Sequence, residues 1–450
     1  MEVANKKRII NAWCMYDWAN SVYNLVIASA IFPIYYTAIT TTKDTFGTVI
    51  SDRVDFLGMS LKNTVLSSYT LAFSLLLVCI ILPFFSGIAD LRGNRKKFLR
   101  IFCYLGAASC ASLYFFTDKE TTLWVGILFM MLASFGFYGS LVFYNSFLPQ
   151  IAEADEMDKI SAKGFSLGYL GSSLLLIVCL ILIKAVTKEM EGDATRICFL
   201  LVGLWWASFA QLLFRRVPEK KKAKTKGSIF KGFHELQKVY KQVVKDNSIK
   251  NFLSAFLFYS MGVQTVVLVA SYFGSKVLSL GPGKLIPTIL IIQFVGVAGS
   301  FFFSWVSKKR GNKFSLMVTL LIWIAVCMSA WYIAQYHNTH PDLPNMPVDR
   351  LPEYGFYGLA FFVGLVMGGV QSLSRSTFSK LIPEHTNDTA SFFSFYDITE
   401  KVAMVFGLFI FGFIEEHSSG MENSVLALIV FFVIGFLVLL SLKDKRLEAY

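Results

Sequence analysis

The sequence predicts an all-α membrane protein with twelve transmembrane helices arranged as two six-helix bundles. Three observations lead there: the apolar composition, the spacing of the apolar runs, and a short internal repeat. Of the 450 residues, 55% are hydrophobic and 16% aromatic, and mean hydropathy is +0.56. A soluble protein lacks the interior to hide that much apolar surface, whereas a bilayer acts as an apolar solvent. Charged residues make up only 16%, below the quarter or so usual in soluble domains, and they cluster between the apolar runs.

A helix needs about 20 apolar residues to span a bilayer. Such runs fall at 12–39, 65–89, 98–116, 123–148, 163–186, 196–214, 250–275, 285–306, 314–335, 354–381, 390–414 and 424–442. An even number of spans puts both termini on one side. The termini side carries 30 of the Lys and Arg residues and the opposite side 10, with Arg375 and Lys401 inside spans. The positive-inside rule then places both termini in the cytoplasm, in a cell (inner) membrane. The opening MEVANKKRII runs into the first span without a small-residue cleavage site, so that helix is expected to be retained. Topology accounts for the net charge of +12 better than nucleic-acid binding does.

The expected organisation is an N-terminal bundle over 1–214, a basic cytoplasmic linker over 215–249 and a C-terminal bundle over 250–450. Within the linker, Ile229, Phe233, Leu236, Tyr240 and Val243 recur at steps of four and three, with Lys231, Lys238, Lys241 and Lys245 around them. That spacing predicts an amphipathic helix, lying either on the inner leaflet or on the protein's own cytoplasmic face. The repeat pairs FFSGIADLRGN at 84–94 with FFSWVSKKRGN at 302–312, six of eleven positions matching at an offset of 218. The same loop thus follows the second span of each half, as in bundles related by a pseudo-two-fold along the membrane normal.

Ionisable side chains inside spans are expensive and mark functional candidates. Asp17 lies near the start of span one, where its role is either binding or structural. Arg375 lies deep in span ten beside Gln371 and needs an anion or carbonyls; a carboxylate of solute or protein would serve. Asp397, Glu400 and Lys401 share one face of span eleven, and Asp397–Lys401 is a favourable i,i+4 pair. Such a cluster binds a zwitterion, exchanges a proton, or is a neutral structural network. Equal depth on adjacent helices leads to the expectation that Arg375, Asp397 and Lys401 line one central cavity. Asn20 and Tyr23 complete the candidate pathway set. Glycines 164, 168 and 171 in span five and 364, 368 and 369 in span ten predict close helix packing. The seven cysteines are expected to be buried small hydrophobes.

SGIADLRGNRKK, residues 86–97, resembles the loop between helices 2 and 3 of the major facilitator superfamily. Asp90, Gly93, Arg95 and Lys96 match that pattern. Ser86, Leu91 and Asn94 depart from it, with Arg92 a substitute for the basic residue absent at 91. YDWANSVYNLVIASAIFPIYY at 16–36 and QSLSRSTFSKLIPEHTNDTASFFSFYDITEKVAMVFG at 371–407 are similar to the vacuole-effluxer-like (autophagy-related amino-acid exporter) branch, with a bacterial member expected. The resemblance covers nearly the whole chain. It implies the major facilitator fold and secondary active transport by alternating access. The cargo it implies is a small polar or zwitterionic, amino-acid-like solute moved in efflux. It also implies a gating latch built from Asp90, Arg92, Gly93, Arg95 and Lys96, where the residues alone also allow positive-inside charge around a tight turn.

The expected partners are that solute, the lipid bilayer and a candidate coupling proton. No cofactor, metal or nucleic acid is expected, and oligomeric state stays open. A membrane-embedded enzyme is the first rival. Against it, His234, His337, His340, His385 and His417 lack HExxH spacing. No GxxxxGK[ST] loop supports direct ATP coupling. A sensor or scaffold without transport is the second rival, and it leaves the buried charges without a purpose.

Overall fold

The computed structural model describes residues 2–44, 49–219, 229–280, 282–339, 350–384, 386–417 and 421–448. The basic run at 220–226, His340 and His385 lie outside them, as do the side chains of Ile229, Lys231 and Phe233. Helix α1 runs from Glu2–Val22 through a wide turn at Tyr23–Ile31 into Phe32–Thr40. Then follow α2 (Asn63–Arg92), α3 (Arg95–Ser112), α4 (Leu123–Asn145), α5 (Met157–Lys184) and α6 (Glu191–Arg216). The linker helix is α7 (Ile229–Lys245). The second half holds α8 (Asn247–Tyr272), α9 (Pro282–Arg310), α10 (Asn312–Thr339), α11 (Leu351–Leu381) and α12 (Thr389–His417). The last is α13, made of Met421–Ala427 and Ile429–Ser441.

Among the described residues, eleven helices are long and apolar enough to cross a membrane. The twelfth span is α12, whose 29 residues reach across a bilayer but carry Asp397, Glu400 and Lys401 at mid-length. Its two faces differ in the way a membrane demands. Phe406, Phe409 and Phe413 are 52%, 69% and 57% exposed, while Asp397 and Lys401 are 5% and 1% exposed. Apolar groups outside and charges inside reverse the soluble arrangement, because lipid takes the place of water.

Local chemistry sets the irregular points. Pro33 has no N–H to bond the carbonyl one turn back. Beside it the Phe32 N–H bonds Ile27 O, a five-residue step, which widens α1 into a π-turn. Gly93 closes α2 at φ +60, and Gly311 follows α9 at φ +83, so the repeat carries the same left-handed stop at both copies. Between α1 and α2, two small antiparallel hairpins form. One pairs Thr42–Lys43 with Val49–Ser51 and the other pairs Arg53–Phe56 with Met59–Lys62. The second turns on Leu57 and Gly58, both at positive φ, which matches the right-handed twist of paired strands.

The chain divides into two compact units. Unit 1 comprises Met1–Phe147, Leu167–Leu236 and Asp388–Ser394, and unit 2 comprises Leu148–Ser166, Gln237–Asn387 and Phe395–Tyr450. Helices α5 and α12 therefore give their opening turns to one unit and the remainder to the other. Inside unit 1, α5 lies against α1 at small residues: a Cβ on Gly171 would meet the Trp18 ring and carbonyl at 2.9 Å. Inside unit 2, α9 and α11 touch backbone to backbone. A Cβ on Gly364 would meet Ile292 O at 2.6 Å, and one on Gly368 would meet Gly296 O. Ser300 Oγ donates to Gly368 O across the same seam at 3.1 Å. The seven cysteines are free thiols, six of them buried.

Candidate functional site

In unit 1, Asp90 sits at the end of α2 and is fully buried. Helix α12 begins at Thr389 and leaves its first N–H groups without partners of their own. Asp90 supplies them. Its carboxylate accepts from Ser391 N and Ser391 Oγ at 2.7 Å each and from Ala390 N at 3.3 Å. The negative charge also faces the positive end of the α12 dipole. Arg95 Nε completes the set at 2.6 Å. Gly93 makes this possible, since its left-handed turn brings α3 back so that Arg95 meets Asp90. Arg95, rather than the exposed Arg92, is thus the guanidinium on Asp90. Lys96 points elsewhere, its N–H to Glu219 at 2.8 Å and its ammonium to Val217 O, tying α3 to the end of α6.

Unit 2 holds a counterpart that the sequence did not disclose. Asp158, in the first turn of α5, accepts from Lys380 Nζ at 2.8 Å, Asn312 Nδ2 at 2.8 Å and Ser307 Oγ at 2.9 Å. Lys380 also donates to Asn312 Oδ1 at 2.7 Å. Ser307 and Asn312 belong to the second copy of the repeat. Lys380 counted among the 30 bases of the termini side, yet it is 6% exposed and paired. The acid has moved from the loop, where Lys308 stands 218 residues after Asp90, to the helix that the loop holds.

One turn further along α5, Ser161 meets Arg375. The guanidinium donates from Nε to Ser161 Oγ and from Nη2 to Ser161 O, both at 2.9 Å, and lies 4.1 Å from the Phe165 ring centroid. The fork is thus turned toward α5, with Gln371 half-buried on the same helix.

The α12 cluster lies deeper along that helix. Lys401 Nζ is 3.2 Å from Asp397 Oδ1 and 2.6 Å from Glu400 Oε2. Gln264 of α8 donates to Glu400 Oε1 at 2.9 Å. Asp397 Oδ2 is buried and has no hydrogen-bond partner among the described residues. Two carboxylates share one ammonium, so the ionised cluster holds one negative charge in excess. Tyr396 beside it stacks on Phe256 at 4.3 Å and on Phe378 at 5.1 Å, which fixes the helix face.

The α1 candidates are all in unit 1. Asp17, 4% exposed, accepts from Tyr144 Oη at 2.8 Å, and Tyr144 stacks on Trp13 with ring centroids 4.5 Å apart. Tyr23 shares a 2.6 Å hydrogen bond with Ser134 at the start of the π-turn. Asn20 is 1% exposed, and its Nδ2 has no partner among the described residues. Among those residues no group of His, Cys, Asp and Glu is arranged to hold a metal ion.

Comparison with known proteins agrees with this architecture. A family model described as "Vacuole effluxer Atg22 like" matches residues 5–158 and 152–448. An uncharacterised MFS-type transporter of Bacillus subtilis, YxiO, is 30% identical over 97% of this chain and 95% of its own. Autophagy-related protein 22-1 of Neosartorya fischeri is 24% identical over 89% of this chain and 79% of its own. Among solved structures, the proton:xylose symporter XylE superposes with a TM-score of 0.70 at 14% identity, covering 100% of this chain and 98% of XylE. The human organic anion transporter MFSD10 superposes at 0.69 with 10% identity, covering 96% and 99%. Those likenesses establish the fold, and the relatives are transporters rather than enzymes. The chain is a multi-pass membrane protein that belongs to the vacuole effluxer Atg22-like family of the major facilitator superfamily.

Proposed function

We propose that this secondary transporter exchanges a small zwitterionic, amino-acid-like solute for a proton by alternating access, with both termini in the cytoplasm. The observation that carries the reading is the buried α12 cluster, with its unpartnered Asp397 Oδ2 and one excess negative charge. A buried acceptor of that kind is costly unless something donates to it. A solute ammonium satisfies it, and so does a proton. One oxygen cannot hold both, so the two compete and move in opposite directions. Glu400, Lys401 and Gln264 set the charge around the bound group.

The two carboxylates at the helix ends do the gating in this reading. Asp90 keeps the first turn of α12 in unit 1, and Asp158 keeps the first turn of α5 in unit 2. Each must be released for its helix to change company, and the cycle alternates between latched and unlatched forms.

A thermal-shift screen tests the binding step, since a ligand of the folded state raises apparent stability by mass action. Zwitterionic amino acids should stabilise the purified protein, and analogues without the ammonium should not. The shift should shrink as pH falls, because protons take Asp397, and should vanish in Asp397→Asn. Stabilisation that is unchanged in Asp397→Asn or insensitive to pH would overturn the assignment.

A further inference from the structure

Helix α7 buries one face and displays another. Val239 and Val243 are buried, with Val239 at 0% exposure. The buried line is thus centred on these two, while Tyr240, expected on the apolar face, is 57% exposed and Val244 47%. Lys238, Lys241 and Lys245 are exposed and fall at steps of three and four, a single stripe beside Tyr240 and Val244. Only Asp246 separates α7 from the membrane-crossing α8, which it caps by accepting from Ser248 N and Ile249 N at 2.8 and 3.1 Å. At about 1.5 Å per residue, all three lysines lie within roughly 12 Å of that entry point.

The same stretch of α7 meets α12. Tyr240 packs on Phe395 of α12 with ring centroids 6.0 Å apart. Phe395 is one turn past Ser391, the residue held by Asp90, and so lies on the same side of α12. Arg446 fixes the base of α7: it reaches Asp246 at 3.6 Å and Asp444 at 2.6 Å and donates to Leu381 O at 2.9 Å, the last residue of α11. Burial works against ionised Asp444, yet the hydrogen bonds from Arg446 and Ser248 hold it down at about 2, so this clamp stays charged.

We propose that α7 binds anionic phospholipid headgroups of the cytoplasmic leaflet through Lys238, Lys241 and Lys245, and that the Tyr240–Phe395 contact passes this binding to the latched first turns of α12. An exposed face that mixes lysines with an aromatic and an aliphatic side chain, next in sequence to a membrane-crossing helix, is complementary to an anionic leaflet and to no soluble anion in particular. Bound lipid holds α7 down, α7 holds Phe395, and the latch is favoured. The coupling half of this proposal rests on reading Asp90–Ser391 as a gate.

The test is hydrogen exchange on the full-length protein in nanodiscs of phosphatidylcholine, with and without about one third phosphatidylglycerol. Phosphatidylglycerol should slow exchange over 234–248 and over 388–398 by about fivefold or more, the effect of even one lysine at an anionic surface. Lys238→Gln/Lys241→Gln/Lys245→Gln should lose both effects. Tyr240→Ala should keep the first and lose the second. Equal exchange in the two lipids overturns lipid binding, as does equal slowing by soluble glycerol phosphate in phosphatidylcholine discs. Slowing over 234–248 alone in the unmodified protein overturns the coupling. No solute flux enters this readout, so it fails independently of the transport reading.

Discussion

Asp90→Asn removes one charge from the group that holds the start of α12. Asp90 accepts hydrogen bonds from Arg95 Nε, Ser391 N, Ser391 Oγ and Ala390 N. Each of these four groups is a donor. An asparagine side chain offers one oxygen with two lone pairs, and its NH₂ would face donors where the second carboxylate oxygen stood. At least two bonds to a charged acceptor are lost, each worth about 1.5–3 kcal/mol. The latch then weakens by about 3 kcal/mol. At a factor of ten per ~1.4 kcal/mol, the unlatched population rises about a hundredfold. Ser394, buried one turn past the latch, provides the reporter as Ser394→Cys. Maleimide labelling of that cysteine in membranes with accessible cytoplasmic faces should speed up at least tenfold when Asp90→Asn is added. An unchanged rate in a variant that inserts and remains monodisperse would refute the latch. Loss of the folded protein would show that Asp90 is structural.

Three further outcomes follow from the same geometry. Lys380→Ala strands the buried Asp158 charge and should cost about 3–5 kcal/mol in stability, while Asp158→Asn/Lys380→Met should cost much less; equal losses in a double-mutant cycle would deny the pairing. Arg375→Ala should lower the thermal midpoint and abolish flux by freeing α5 at Ser161. Arg375→Lys should recover little of either, because an ammonium does not reproduce the guanidinium fork; full recovery would reduce Arg375 to a point charge. A cysteine in the 215–250 segment should resist impermeant reagents added outside intact cells, and strong labelling there would reverse the topology.

Hydropathy made the spans legible because a bilayer imposes length and composition on each helix separately. The left-handed glycines at 93 and 311 were legible for a similar reason: a repeat copies a local backbone need. The Asp397–Lys401 pair could be read because its spacing lies within one helix. What stayed hidden is tertiary. Span five was placed from residue 163, which leaves Asp158 outside it, whereas α5 begins at Met157 and puts that acid in its first turn. Lys380 read as a topology charge for the same reason, since a base at a span end looks alike whether it meets water or an acid. Arg375 was expected to need an anion or carbonyls, and its guanidinium does donate to the Ser161 carbonyl. Depth along neighbouring helices does not fix which face a side chain takes, so the choice of Ser161 and the Phe165 ring of α5 could not be read. The hairpins after α1 left no periodic signal, their strands being two to four residues long.

The central claim is that solute and proton share Asp397. Its most direct test is uptake of labelled amino acids into proteoliposomes with an imposed pH gradient, comparing unmodified protein with Asp397→Asn. The account predicts accumulation of at least one zwitterionic amino acid on the side from which protons leave, and loss of gradient-driven accumulation in Asp397→Asn with downhill exchange retained. Gradient-driven accumulation by Asp397→Asn at the rate of the unmodified protein would contradict it.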